Sequence, residues 1–144
     1  MIGEKLRRGE IMSALSKNLT ALSGEYFVAG HLCMNGIVAS LTLKNYPGVD
    51  IFAYNPANGK RTAIQVKTTR VAKSSGYWIS APDKIETEGT PYVFVHLSKK
   101  LPPEFHVVSA SALAKLIERE KDYWYVTLKN LEAYKDQWVN LGLD

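Results

Sequence analysis

The sequence predicts an α/β protein of the α+β type, with an N-terminal helix followed by a mixed β-sheet flanked by helices. Three observations lead there. Leucines and small apolar residues recur at helical spacing from Ser13 to about Asn35. Short β-branched and aromatic runs, separated by Pro, Gly and Asn, fill the middle of the chain. Further apolar runs alternate with helix-capping residues in the C-terminal third. At 144 residues the chain has the size of one domain and buries a core without staples. A single domain over 1–144 is expected, with residues 1–12 as a flexible lead.

The first element is a long amphipathic helix stopped by Asn35-Gly36. At about 100° per residue, Leu15, Leu19, Leu22, Tyr26, Ala29 and Leu32 fall on one arc, with Glu25 inside it. A lone helical Glu usually reaches water or a lysine, so Glu25 gains meaning only from what the helix packs against. Ile37–Leu43 is β-branched and apolar and reads as the first strand, ended by the turn Lys44-Asn45-Tyr46-Pro47-Gly48. A second strand opens at Asp50. Asn55-Pro56-Ala57-Asn58-Gly59 then has the turn residues to join it to a third, Ala63–Thr69, as an antiparallel hairpin.

That third strand carries the most informative pair. Side chains alternate across a strand, so Gln65 and Lys67 share one face while Ile64 and Val66 bury on the other. The hairpin can bring Asp50 beside them. An acid, an amide oxygen and an ammonium converging there would hold a hard divalent cation through oxygen ligands and leave Lys67 facing a phosphate or the attacking water. A surface Gln-x-Lys on an edge strand would be unremarkable by itself; the ordered context gives the pair weight.

After Thr69 comes a basic Ser/Gly-containing loop, Arg70 to Gly76, then a short strand from Tyr77, with Trp78 expected in the core and Lys73 expected to contact nucleic acid. Tyr92–Leu97 and Phe105–Val108 read as paired strands across the turn Ser98–Pro103. His96 and His106 are expected to be packing or edge residues. Ser109 is an N-cap for a helix reaching about Glu120, and Asn130 for a helix over Leu131–Val139 stopped by Gly142. Between them Tyr123–Leu128 reads as a strand. The acids of this half are interspersed with lysines, as on solvated faces.

Taken together, Gly24-Glu25 in a first helix, Pro47-Gly48-Val49-Asp50 opening a strand, and Gln65-Val66-Lys67 in the next resemble the PD-(D/E)XK, or restriction-endonuclease-like, nuclease superfamily. The chain also resembles small bacterial members with a Gln-x-Lys variant motif. The match covers roughly Ser23 to Thr69. It implies a core of helix, three strands, helix and strand. It also implies magnesium, with manganese able to substitute, held by Glu25, Asp50, Gln65 and the backbone carbonyl of Val66. Lys67 would stabilise the pentacoordinate phosphorus, position water or act as base. The usual pattern has an acid where this chain has Gln65, although some nucleases resembling the superfamily use Gln there. A neutral amide is a weaker magnesium ligand than a carboxylate.

Composition narrows the alternatives. No stretch is apolar enough to span a bilayer, and the N-terminal ten residues carry charges without a following signal-like run, so a cytoplasmic protein is expected. One cysteine and three scattered histidines argue against a zinc site, and Cys33 is expected to be a small buried hydrophobe. Net charge is +4, and no acid lies between Asp50 and Asp83, where Lys60, Arg61, Lys67, Arg70 and Lys73 cluster. Of these, Lys60, Arg61, Arg70 and Lys73, with Thr69, are the candidate nucleic-acid contacts, DNA before RNA. A homodimer would let a one-site nuclease cut both strands. The competing expectations are a catalytically inactive nucleic-acid-binding module on the same fold and a protein-interaction module, such as an immunity-like partner of an acidic surface.

Overall fold

The computed structural model describes residues 2–43, 47–70, 76–98 and 101–144, with side chains from Ser16 onward. Helix α1 (Ile2–Met34) leads into β1 (Val38–Leu41), β2 (Ile51–Tyr54) and β3 (Arg61–Thr69). Then follow β4 (Gly76–Trp78), α2 (Pro82–Glu88), β5 (Tyr92–His96), β6 (Glu104–Val108) and α3 (Ala110–Leu116). The chain closes with β7 (Glu118–Glu120), β8 (Tyr123–Thr127), α4 (Leu128–Leu131) and two 3₁₀ turns, Glu132–Tyr134 and Trp138–Leu141.

The main sheet is mixed, in the order β1-β2-β3-β5-β6. β1, β2 and β3 form an antiparallel meander, β3 and β5 are parallel, and β5 and β6 are antiparallel. Parallel neighbours cannot be joined by a tight turn, and the crossover between β3 and β5 is where β4 and α2 lie. The Asn55–Gly59 hairpin forms as expected. Asn55 N–H donates to the Lys60 carbonyl at 2.8 Å, and Gly59, at φ +76°, supplies the left-handed residue the turn requires. The Asn55 and Asn58 amides donate to the Leu143 carbonyl at 2.7 and 3.0 Å, tying the hairpin to the returning C-terminal segment.

Alternation along the strands builds two cores. Ile51, Ala53, Ile64, Val66, Val93, Val95 and Val107 pack with Val28, Ala29 and Leu32 of α1 on one face. Phe94 and Val108 point the other way, into a second core with Tyr77, Ile79, Ile85, Leu113, Val126 and Leu131. This second core is roofed by a separate antiparallel sheet, β4-β8-β7, together with α2 and α3.

Several expectations change. The helix starts at Ile2, not Ser13, and its buried stripe is Gly24, Val28, Ala29 and Leu32; Leu19 and Tyr26 are 57% and 61% exposed, and the Leu15 side chain lies outside the described residues. The helix meets the sheet along a strip narrower than its apolar arc. Cys33 is exposed rather than buried. Tyr77, not Trp78, enters the core, because β4 pairs with β8 and its alternation is set by that partner. Ser109 caps α3 by accepting from Ala112 N–H at 3.2 Å, but the helix ends at Leu116 and Glu118–Glu120 pairs with β8. The expected helix over Leu131–Val139 is replaced by short turns: Thr127 rather than Asn130 is the cap, and Asp136 at φ +54° cannot continue a helix. Gly142 does close the last turn. Among the described residues, no helix is long and apolar enough to cross a membrane.

His106 is buried in β6 with Nδ1 lacking a hydrogen-bond partner among the described residues, and burial lowers its pKa below the ordinary value. The unfolded chain therefore takes up a proton that the folded chain resists. Stability should be complete above the ordinary histidine pKa of 6.5 and decline as pH falls from there towards the depressed folded value. Thermal unfolding at pH 7.5 and 5.5 checks this against His106→Phe, which should lose the part of the decline due to this ring. Identical pH profiles for the two proteins would refute it.

Candidate active site

β2 and β3 part company at Asp50. Ile51 is the register partner of Ile64, and the Asp50 N–H also donates to the Ile64 carbonyl at 2.9 Å. Two residues thus face one, as in a β-bulge, a device that re-aims a side chain at the end of a ladder. The Asp50 carboxylate then takes over from the missing strand: Oδ2 accepts the Val66 N–H at 2.8 Å. Gln65 N–H donates to Pro91 and Leu97 N–H to the Thr69 carbonyl, so odd-numbered residues of β3 hydrogen-bond to β5. By alternation, the Val66 carbonyl points to the same edge as its N–H, towards Asp50 and past the end of β2.

Gln65 and Lys67 are half-buried and lie opposite Tyr92 and Phe94 of β5, on the face away from α1. Asp50 thus sits beside the stretch of β3 that carries Gln65 and Lys67, joined to it through the Val66 amide. Helix α1 crosses β3 on the other face, where Gly24 rests on Thr68 so closely that an added Cβ would lie 1.7 Å from Thr68 Oγ1. Glu25 follows that contact and is half-buried, level with the Lys67–Thr68 step but on the helix covering the opposite face.

Sequence reasoning missed two neighbours. Tyr92 has its pKa raised by burial first, then by the carboxylates of Glu88 and Asp50. Glu88, at the end of α2, also approaches the turn before Asp50, since a Cβ on Gly48 would lie 3.8 Å from its Oε2. Only the crossover brings α2 back to this turn, and no local pattern around Glu88 signals it.

Among the proposed nucleic-acid contacts, Arg61 and Arg70 are exposed and Thr69 is half-buried. Lys60 Nζ donates to the Asp144 carbonyl. Arg70 and Thr69 line a groove of about 560 Å³ with Lys17 and Thr20 of α1. Lys73 lies outside the described residues. Among the described residues no three His, Cys, Asp or Glu side chains gather to hold a metal. The donors available near Asp50 are all oxygens: its own carboxylate, the Gln65 amide and the Val66 carbonyl. That chemistry suits a hard divalent cation such as magnesium.

An N-terminal helix on a β1-β2-β3-β5 sheet, with the crossover helix between β3 and β5, is a restriction-endonuclease-like fold. Among solved structures, the chain is similar to Hjc, a Holliday junction resolvase from the archaeal hyperthermophile Archaeoglobus fulgidus. The TM-score is 0.50 at 18% identity, over 78% of this chain and 92% of that one, a likeness of fold. No protein-family model and no curated protein matches the chain.

Proposed function

We propose that this protein is a cytoplasmic, metal-dependent endonuclease that hydrolyses DNA phosphodiester bonds. The observation carrying the reading is the Asp50 carboxylate, fixed just before β2 begins, at 2.8 Å, on the amide of Val66, the residue between Gln65 and Lys67. Asp50, Gln65 and the Val66 carbonyl would hold magnesium or manganese, and Glu25 would complete the set from the helix side. When bound, such a cation polarises a phosphoryl oxygen and acidifies water. The protein's own groups do the rest. One Asp50 oxygen is committed to the backbone, which orients the carboxylate and offers the other to the cation. Lys67 faces the phosphate, stabilising charge on the pentacoordinate phosphorus or orienting the attacking water. Lys60, Arg61, Thr69, Arg70 and Lys73 hold the DNA backbone. Two copies acting together would cut both strands, and a similar fold in a Holliday junction resolvase makes branched DNA a substrate to include.

The test is cleavage of single-stranded, duplex and branched DNA, with an RNA control, under magnesium or manganese. Gln65→Glu sharpens it by restoring a charged ligand. The metal concentration for half-maximal cleavage should fall on the order of tenfold. An unchanged metal requirement would remove Gln65 from the ligand set.

Gln65 also favours a second reading, a catalytically inactive module on the same fold. It predicts salt-sensitive DNA binding with no turnover in either the parent or Gln65→Glu. Absence of DNA binding even at low salt would point instead to a protein partner.

A further inference from the structure

The face of β3 that carries Gln65 and Lys67 continues away from the site across β2 and β1. Its cross-strand rows are Ser40–Phe52–Ala63 and Val38–Tyr54–Arg61. The alternate residues, Ala39, Leu41, Ile51, Ala53 and Ile64, belong to the core under α1, so these rows face the other way, and α2 and α3 pack further along, over Phe94 and Val108. Phe52 and Tyr54 are 49% and 40% exposed, and they line a groove of about 780 Å³. The Arg61 guanidinium lies 5.9 Å from the centre of the Tyr54 ring. Same-face residues are about 7 Å apart along a strand, so the Phe52 row is one step from Gln65 and the Tyr54 row two.

Charge indicates what this face accepts. Between Glu25 and Asp83 the only acidic residue is Asp50. β1, β2 and β3 thus carry no acid, whereas Arg61 and Lys67 stand at either end of the rows. Aromatic rings stepping along a cationic surface suit a polyanion that exposes flat apolar faces, namely a nucleic-acid strand with unpaired bases; a duplex hides those faces in its own stack.

We propose that this face seats an unpaired DNA strand, stacking successive bases on Phe52 and Tyr54 while its backbone runs past Arg61 towards Lys67. The inference deepens the nuclease reading by naming the form of DNA beside the site, but the binding it describes does not depend on turnover. Cleavage would then fall on a strand that is single-stranded on the side of the Phe52 row, as at a branch or a flap.

The test is binding in chelator, where no cleavage occurs, of a single strand of about 12 nucleotides carrying 2-aminopurine, with a duplex of the same sequence beside it. Phe52→Ala and Tyr54→Ala should each weaken single-strand binding by about tenfold and relieve 2-aminopurine quenching, with duplex affinity unchanged and the fold of each variant verified by its unfolding temperature. Phe52→Tyr and Tyr54→Phe should bind as the parent does. Because binding is read in chelator, the result stands apart from any failure of catalysis. The proposal is overturned if the parent does not bind the single strand, or if the Phe52→Ala/Tyr54→Ala double variant binds it as the parent does. It is equally overturned if that double variant turns a dimeric parent into a monomer with single-strand affinity intact, since the face would then be an interface between copies.

Discussion

Lys67→Ala should lower metal-dependent DNA cleavage by about 10²–10³-fold, the usual cost of removing one preorganised group from a developing anionic transition state. Affinity for DNA in chelator should stay close to that of the parent, because one cation among several contributes little to backbone binding. The side chain is half-buried on a central strand beside Phe94, so its unfolding temperature must be measured with its rate. A well-folded protein that binds and does not cut is the expected result. Cleavage by Lys67→Ala at the parental rate would remove this residue from the mechanism. Lys67→Arg separates its two roles. Arginine keeps the charge but never gives up its proton, so retained cleavage means electrostatic stabilisation and lost cleavage points to a base.

Gly24→Ala should destabilise the fold, contrary to helix propensity. Alanine is favoured over glycine inside a helix by about 1 kcal/mol. Here the new methyl group would lie 1.7 Å from Thr68 Oγ1 and 2.8 Å from Thr68 Cβ, and rotating the Thr68 side chain leaves the Cβ contact in place. The helix must lift from β3, and overpacking of this kind costs about 1–3 kcal/mol. Offset by the propensity gain, the net loss is about 1 kcal/mol, which corresponds to a fall of about 2–4 °C in Tm. Thr68 Oγ1 is buried without a hydrogen-bond partner among the described residues, so Thr68→Ala alone should cost little. Combined with Gly24→Ala it should recover part of the loss, giving a coupling of about 1 kcal/mol in a double-mutant cycle. Because Glu25 follows this contact, cleavage by Gly24→Ala should fall as well. An unfolding temperature at or above the parent's would contradict the close approach of α1 to β3.

The parts of the fold that were legible in the sequence are those decided within a few residues. Asn55 to Gly59 make a hairpin because only certain residues take the required backbone angles. The alternation that buries Ile64 and Val66 and turns Gln65 and Lys67 the other way follows from strand geometry alone. Ser109 caps a helix wherever the next residues can form one. The mistaken expectations share a different cause. Trp78 and Tyr77 look interchangeable until β8, nearly fifty residues on, sets which one is buried. Glu118–Glu120 would extend α3 if β8 did not offer it a partner. The arc around Leu19 and Tyr26 is apolar enough to bury, yet the sheet does not extend beneath it.

The same division runs through the candidate site. By itself the sequence determined the hairpin, the shared face of Gln65 and Lys67 and the acid-free stretch around them, because these depend on local dihedral preferences and on charge along the chain. Tertiary structure alone decided that the Asp50 carboxylate caps the Val66 amide, that α1 lies on the opposite face with Gly24 against Thr68, and that Glu88 returns beside Gly48. It also left Phe52 and Tyr54 exposed in line with Lys67. Each of these depends on where one element ends and on which distant element packs over it, and those contacts are selected by the packing of the whole chain rather than by any one segment.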